Sequence, residues 1–185
     1  MALTDHIRKQ VRDAVLLILK GPAITAAGDN VFVNRVAPFG EADLPAINIF
    51  TNTESSDVVI EASRVYMHNL TLTIELSDKL STNVVDILDN IALDVEKIMA
   101  KNENAQLGLK CIQEKYPVLV GTEINIKDKV ENDVAGIVMS YQIIYHTDEP
   151  GVDEQTLVPL EGIDVDFDLD PTDEEIDMEV IVDYS

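Results

Sequence analysis

The 185-residue chain, with 46% hydrophobic and 26% charged residues, is large enough for one well-cored globular domain with an appendage. Its single cysteine, Cys111, excludes an internal disulfide framework and is expected as a small buried hydrophobe, and no apolar run approaches the roughly 20 residues of a spanning helix. A formal charge of −22 argues against tight binding to nucleic acid or to an anionic membrane, because both would be repelled.

The first predicted element is a helix. Thr4 can cap it, and Ile7, Val11, Val15, Ile18 and Leu19 form a stripe at helical spacing that Gly21-Pro22 ends. Arg8, Lys9 and Arg12 fall off the stripe and are expected on the wet face. Two strand candidates follow, Val31 to Val36 before the breakers Pro38 and Gly40, and Pro45-Ala-Ile-Asn-Ile-Phe-Thr51. Asn52, Thr53, Glu54, Ser55, Ser56 and Asp57 read as a polar loop. From Arg64 to Leu76 a long strand is predicted, with Leu70, Leu72, Ile74 and Leu76 on one side and Asn69, Thr71, Thr73 and Glu75 on the other.

The second helix is the clearest element. Ser81 or Thr82 can cap it, and Val84, Ile87, Leu88, Ile91, Val95, Ile98 and Met99 repeat at period 3.6 opposite Asp86, Asp89, Asp94 and Lys97. Asn102 and Asn104 are its stop residues. Strands are then predicted at Leu107–Gln113, around Thr122–Lys127 and from Val134 to His146, the last with Ile137, Met139, Tyr141, Ile143 and Tyr145 on one face. Over residues 1–147 the expected class is therefore α+β. A mostly antiparallel or mixed sheet carries two amphipathic helices packed on one face.

Residues 148–185 differ from this body. They hold 15 of the 35 acidic residues and no Lys or Arg, leaving 20 acidic against 13 basic residues in the body. Ile163, Val165, Phe167 and Leu169 alternate strictly with Asp164, Asp166, Asp168 and Asp170, and a second alternating stretch begins at Ile176. Disordered acidic tails seldom keep period 2 this well, so an arm with strand character is expected. Its apolar face gains by lying on a sheet edge or an adjoining subunit.

The search for chemistry finds no active site. There is no GxSxG elbow, P-loop, GxGxxG or HExxH, and His6, His68 and His146 do not pair at helical spacing. His68 shares the parity of Leu70 and Leu72 and reads as a half-buried sheet histidine, while His146 reads as surface. Asp164, Asp166, Asp168, Asp170 and Glu175 match the ligand positions of a calcium loop. However, Leu169 stands where the sharp turn needs glycine and Pro171 follows. No cofactor or metal is expected, and the start, Met1-Ala-Leu-Thr-Asp, carries no secretion signal.

Order and flavour resemble a known family. His6-Ile-Arg-Lys-Gln-Val-Arg-Asp-Ala-Val15 resembles the start of bacteriophage tail terminators, the lambda minor tail protein U group and its relatives. It leads into Thr25-Ala-Ala-Gly-Asp-Asn-Val-Phe-Val-Asn-Arg35 and Leu44-Pro-Ala-Ile-Asn-Ile-Phe50. A polar stretch with Glu54, a long strand through Leu70–Leu76, a helix with the Val-Asp-x-Leu-Asp pattern and a closing Tyr-rich strand continue the similarity over about residues 1–147. The acidic arm departs from it, which leaves siphophage and contractile-tail versions both open. The resemblance implies a non-enzymatic virion protein of the tail and neck, assembled in the host cytoplasm. Its implied form is a homo-hexameric ring that caps the tail tube, ends polymerisation and joins the tail to the head. The implied partners are further copies of itself, the tail tube protein, a head-side neck or connector protein, and a sheath where the tail is contractile. DNA would pass through a lumen without tight binding, and no membrane is involved. Residues 52–57 and Ile163, Val165, Phe167 and Leu169 are the expected subunit or tube contacts. Alternatives are another neck or head–tail connector protein, and a calcium-dependent binding module built on the acidic arm.

Overall fold

The computed structural model describes residues 6–60, 65–103, 105–113, 115–127 and 134–147. The acidic arm, with Ile163, Val165, Phe167 and Leu169, lies outside the described residues, as does Thr4.

Two helices form where the apolar stripes lie. Helix α1 spans Ile7–Leu19 and buries Ile7, Val11, Val15 and Leu19. Its cap is His6, whose Nδ1 accepts the Arg8 N–H at 3.2 Å. An imidazole acceptor thus meets one of the orphan donors of the first turn. Helix α2 spans Val84–Glu103 and buries Val84, Leu88, Ile91, Ala92, Val95 and Met99. It begins two residues beyond Thr82, and near its end the Asn102 side-chain amide donates to the Ile98 carbonyl at 2.8 Å.

Five strands make one mixed sheet: β1 (Val31–Val33), β2 (Ala46–Ile60), β3 (Val65–Lys79), β4 (Val118–Lys127) and β5 (Val134–Thr147). Their spatial order is β1-β2-β3-β5-β4, with β1 parallel to β2 and every other pair antiparallel. The architecture is α+β. Rungs such as Ile49–Ile74–Met139 carry apolar residues straight across the sheet. Leu70, Leu72, Ile74 and Leu76 are fully buried and share one core with both helical stripes, so both helices cover the same face. Full burial of such side chains stabilises by roughly 1.5–3 kcal/mol apiece. Helix α1 packs on β1 and β2, and α2 on β3, β5 and β4.

The opposite face is polar but not loosely made. Asn48 and Thr73 are buried there, and Asn48 pins the chain after β1 by accepting the Arg35 N–H at 3.1 Å and donating to the Arg35 carbonyl at 2.9 Å. The Arg35 guanidinium lies 4.4 Å from the Phe32 ring centroid and 4.8 Å from that of Phe39, and pairs with Asp43 at 2.6 Å.

Three expectations need correction. Residues 52–57 are not a loop; they continue β2 as far as Ile60, paired with β3. Their polarity reflects the end of the sheet, where the one helix contact is polar, between Glu54 and Arg8 of α1, and neither face needs to be apolar. Leu107–Gln113 is not a strand either. Gln106, Leu107 and Gly108 all have positive φ, which coils the chain into a 3₁₀ turn that drops Leu107 into the core, and only Ile112 forms a bridge, to Tyr145. Finally, β4 starts at Val118 and so takes in Val118, Leu119 and Val120.

Candidate functional site

The predicted contact residues of β2 split between the two faces. A register shift between Thr51 and Glu54 turns both Asn52 and Thr53 toward the polar face, where they bond the Thr73 and Thr71 hydroxyls at 3.0 and 3.1 Å. Ser55 stands opposite Asn69 and Asp57 opposite Met67, both on exposed positions of β2. Glu54 and Ser56 point the other way, to the end of the helix-covered face.

There they join a network that the polar composition of 52–57 did not reveal. The Tyr145 hydroxyl donates to Glu54 Oε1, Arg8 Nε lies 3.4 Å from Glu54 Oε2, and His68 stacks on Tyr145 with centroids 4.6 Å apart. His68 Nδ1 meets the Ser56 hydroxyl and Nε2 the Thr147 hydroxyl, each at 2.7 Å. Arg12 Nη1 adds a bond to Thr51 Oγ1 at 2.8 Å. So Arg8 and Arg12, expected on a wet face, in fact tie α1 to β2. Parity placed His68 and Tyr145 on the face of the leucine stripe, but Glu54 reaches that face only through the register shift after Thr51, which the sequence does not announce.

The contact between Ser56 and His68 has the length of a nucleophile–base pair but not its wiring. A base that activates a serine needs an orienting carboxylate on its far nitrogen. Here the far nitrogen faces Thr147, and Glu54 lies 4.0 Å from the same Nδ1 that Ser56 occupies. Burial lowers the His68 pKa against a smaller opposing pull from Glu54. A neutral imidazole bridging two hydroxyls is a clasp between strands. The Tyr145 hydroxyl is pushed above its ordinary pKa, first by burial and then by its bond to Glu54. Burial also raises the Cys111 thiol, which suits a small packed side chain better than a reactive one. Among the described residues no cluster of three or more His, Cys, Asp or Glu is arranged to hold a metal, and the acidic run 164–175 lies outside them.

The sheet ends differently from its middle. Strand β1 covers β2 only over Ile47–Ile49. Asn34 then donates its N–H to the Ile49 carbonyl at 3.0 Å and turns away with φ 53°. From Phe50 to Ile60 the outer side of β2 has no strand partner among the described residues, and Val58, Val59 and Ile60 are exposed. At the other end of the sheet the outer side of β4 is likewise unpaired among the described residues. It exposes Val118, Leu119, Val120 and Ile124.

Beside β4 runs a cleft of about 260 Å3 lined by Glu96, Ala100 and Glu103 of α2 and by Pro117, Val118, Leu119 and Tyr141. The Tyr141 hydroxyl is buried there without a hydrogen-bond partner, and burial followed by the charge of Glu96 raises its pKa.

No family model and no curated protein matches the sequence. Among solved structures, a chain from the virion of a native gene transfer agent particle is similar with a TM-score of 0.42 and 12% identity. The match covers 77% of this chain and all of that one.

Proposed function

We propose that this chain is a virion assembly protein that works as a tail terminator. In this reading it forms a closed ring of copies, hexameric as in the family it resembles, on the last ring of a tail tube. The ring stops polymerisation and presents its other side to a head-side neck protein. The observation that carries this reading is the pair of edges, at opposite ends of one sheet, that have no strand partner among the described residues. Long exposed edges with apolar side chains are an aggregation hazard that monomeric proteins blunt with charges, prolines or bulges. Here β2 has register irregularities at Thr51/Glu54 and Val58/Ile60 and β4 has one at Leu119/Gly121, yet both keep exposed branched residues. Two different complementary surfaces on one subunit make a heterologous contact, which yields a ring when the rotation closes.

Within that reading Thr51–Ile60 and Val118–Lys127 face each other across the subunit boundary, and residues 52–57 contribute as an edge strand. The acidic arm adds a second contact through Ile163, Val165, Phe167 and Leu169, anchored to a sheet edge or an adjoining subunit. Deleting residues 148–185 is expected to leave the melting of the body unchanged while weakening assembly measured by sedimentation; an unfolded truncation would make the arm part of the core. The ring reading itself is tested by negative-stain electron microscopy of the protein alone and with its tail tube protein. Rings with a central hole, or tubes capped at one end and arrested in length, are expected. Uncapped tubes of unchanged length together with an absence of rings would overturn it in favour of a neck connector.

A further inference from the structure

We infer that the cleft between α2 and β4 is a socket for the basic end of α1, Arg8 foremost, of the next copy of this chain; the inference rests on the ring reading above. Position argues for it first. Leu119 in the cleft wall pairs with Tyr141, Tyr141 with Leu72, and Leu72 with Thr51. Thr51 is the residue that Arg12 holds, and Arg8 reaches Glu54 on the next helix-facing rung. The cleft and the first turns of α1 therefore sit at one level of the sheet, at opposite edges and on the same helix-covered face. Joining the β4 edge of one copy to the β2 edge of the next brings them together without sliding either strand.

Chemistry argues for it second. Glu96 and Glu103 form no ion pair among the described residues, and the Tyr141 hydroxyl in the same cleft is left unpartnered in a side chain only 2% exposed. A buried hydroxyl without a partner is unfavourable, and the charge of Glu96 acting on it, with Glu103 in the same cleft wall, selects a cationic donor. The Arg8 side chain is 47% exposed; its Nε meets Glu54 and His6 Nδ1, and its Nη2 lies 3.5 Å from His6 Nε2. Its guanidinium fork has five N–H groups, enough to keep Glu54 while donating to a second carboxylate and to a phenol oxygen. The flat apolar wall of Pro117 and Leu119 suits the face of that group.

The test uses the full chain carrying Cys111→Ser. With Lys9→Cys and Ala100→Cys in the same chain, which spare Arg8 and both carboxylates, mild oxidation is expected to give a covalent ladder that ends at the ring number, while either cysteine alone gives none. Separately, Glu96→Lys is expected to weaken self-association by about tenfold or more in sedimentation velocity, as loss of one partner of a desolvated charge pair does. Tyr141→Phe should weaken association while leaving the melting of the dilute, dissociated subunit unchanged or raised. Melting of every variant at that dilution controls for folding. Rings that form normally with Glu96→Lys and give no ladder would overturn the socket and leave the ring standing. A wild-type chain that stays monomeric, both alone and with tube protein, would overturn both.

Discussion

Glu54 sits where α1, β2 and β5 meet, with its carboxylate shared between the Arg8 guanidinium and the Tyr145 hydroxyl. Each donor supplies one bond to that carboxylate, so removing either leaves one of its oxygens unpaired. Tyr145→Phe removes one of them without changing the packed ring, so it is expected to cost roughly 1–3 kcal/mol, read from urea unfolding. His68 gives a second prediction at the same site. Its pKa is lowered in the folded protein, first by burial and against the pull of Glu54, with His6 and His146 adding in the lowering direction. Tyr145, stacked on the ring, and Tyr66, with its centroid 6.3 Å away, are further titratable groups beside it. A lowered folded value means that the unfolded chain binds the proton first as pH falls below its ordinary value of about 6.5. The stabilisation by neutral His68 is therefore complete above that value and declines as pH falls toward the folded one. Melting temperatures of wild type and His68→Gln between pH 7.5 and 5 should converge as the solution becomes acidic. A constant gap would show that His68 does not titrate differently on folding.

The elements of the body formed for reasons that periodicity could detect. Both helical stripes, the leucine face of β3 and the tyrosine-bearing face of β5 were legible because each repeats at its own period against a single core. Leu88 and Leu93 make the contrast measurable. Leu88 is 1% exposed and Leu93 is 48% exposed on the far side of α2, so Leu88→Ala should cost about 2–5 kcal/mol and Leu93→Ala close to nothing. The strand at 52–57 was not legible because the register shift at Thr51/Glu54 breaks its alternation and its one contact with a helix is polar, between Glu54 and Arg8 of α1. The segment 107–113 looked like a strand because it is apolar, yet positive φ at three consecutive residues is a backbone property that apolarity does not report. The candidate site was half legible. Glu54 and Ser56 were picked out by polarity, while Tyr145, His68 and Arg8 came to them through a register that only pairing of distant strands defines. Gly136 belongs to the same category. A Cβ there would stand 3.0 Å from the Leu76 carbonyl oxygen of the neighbouring strand. Gly136→Ala is accordingly expected to destabilise by about 1–3 kcal/mol in thermal or urea unfolding, despite the usual gain from replacing glycine in a strand.

For the whole molecule, charge and topology act in different directions. A chain with a net charge of −22 repels itself, and salt shortens the range of that repulsion from about 30 Å at 0.01 M to about 3 Å at 1 M. Its melting temperature is therefore expected to rise with added sodium chloride, and a fall would mean that the few ion pairs such as Arg35–Asp43 dominate instead. In the proposed ring, topology supplies the association that charge opposes. The two open edges are not equivalent, since one belongs to β2 beside α1 and the other to β4 beside α2. An arc of subunits joined through them has a direction, with one kind of end at its front and another at its back. A subunit spoiled at only one edge should thus be more harmful than one spoiled at both, because it still enters a growing arc and then halts it. Mixed into wild-type protein as a minority, a chain with Val120→Pro in β4 would poison closure far beyond its share. A chain altered at both edges would simply be left out.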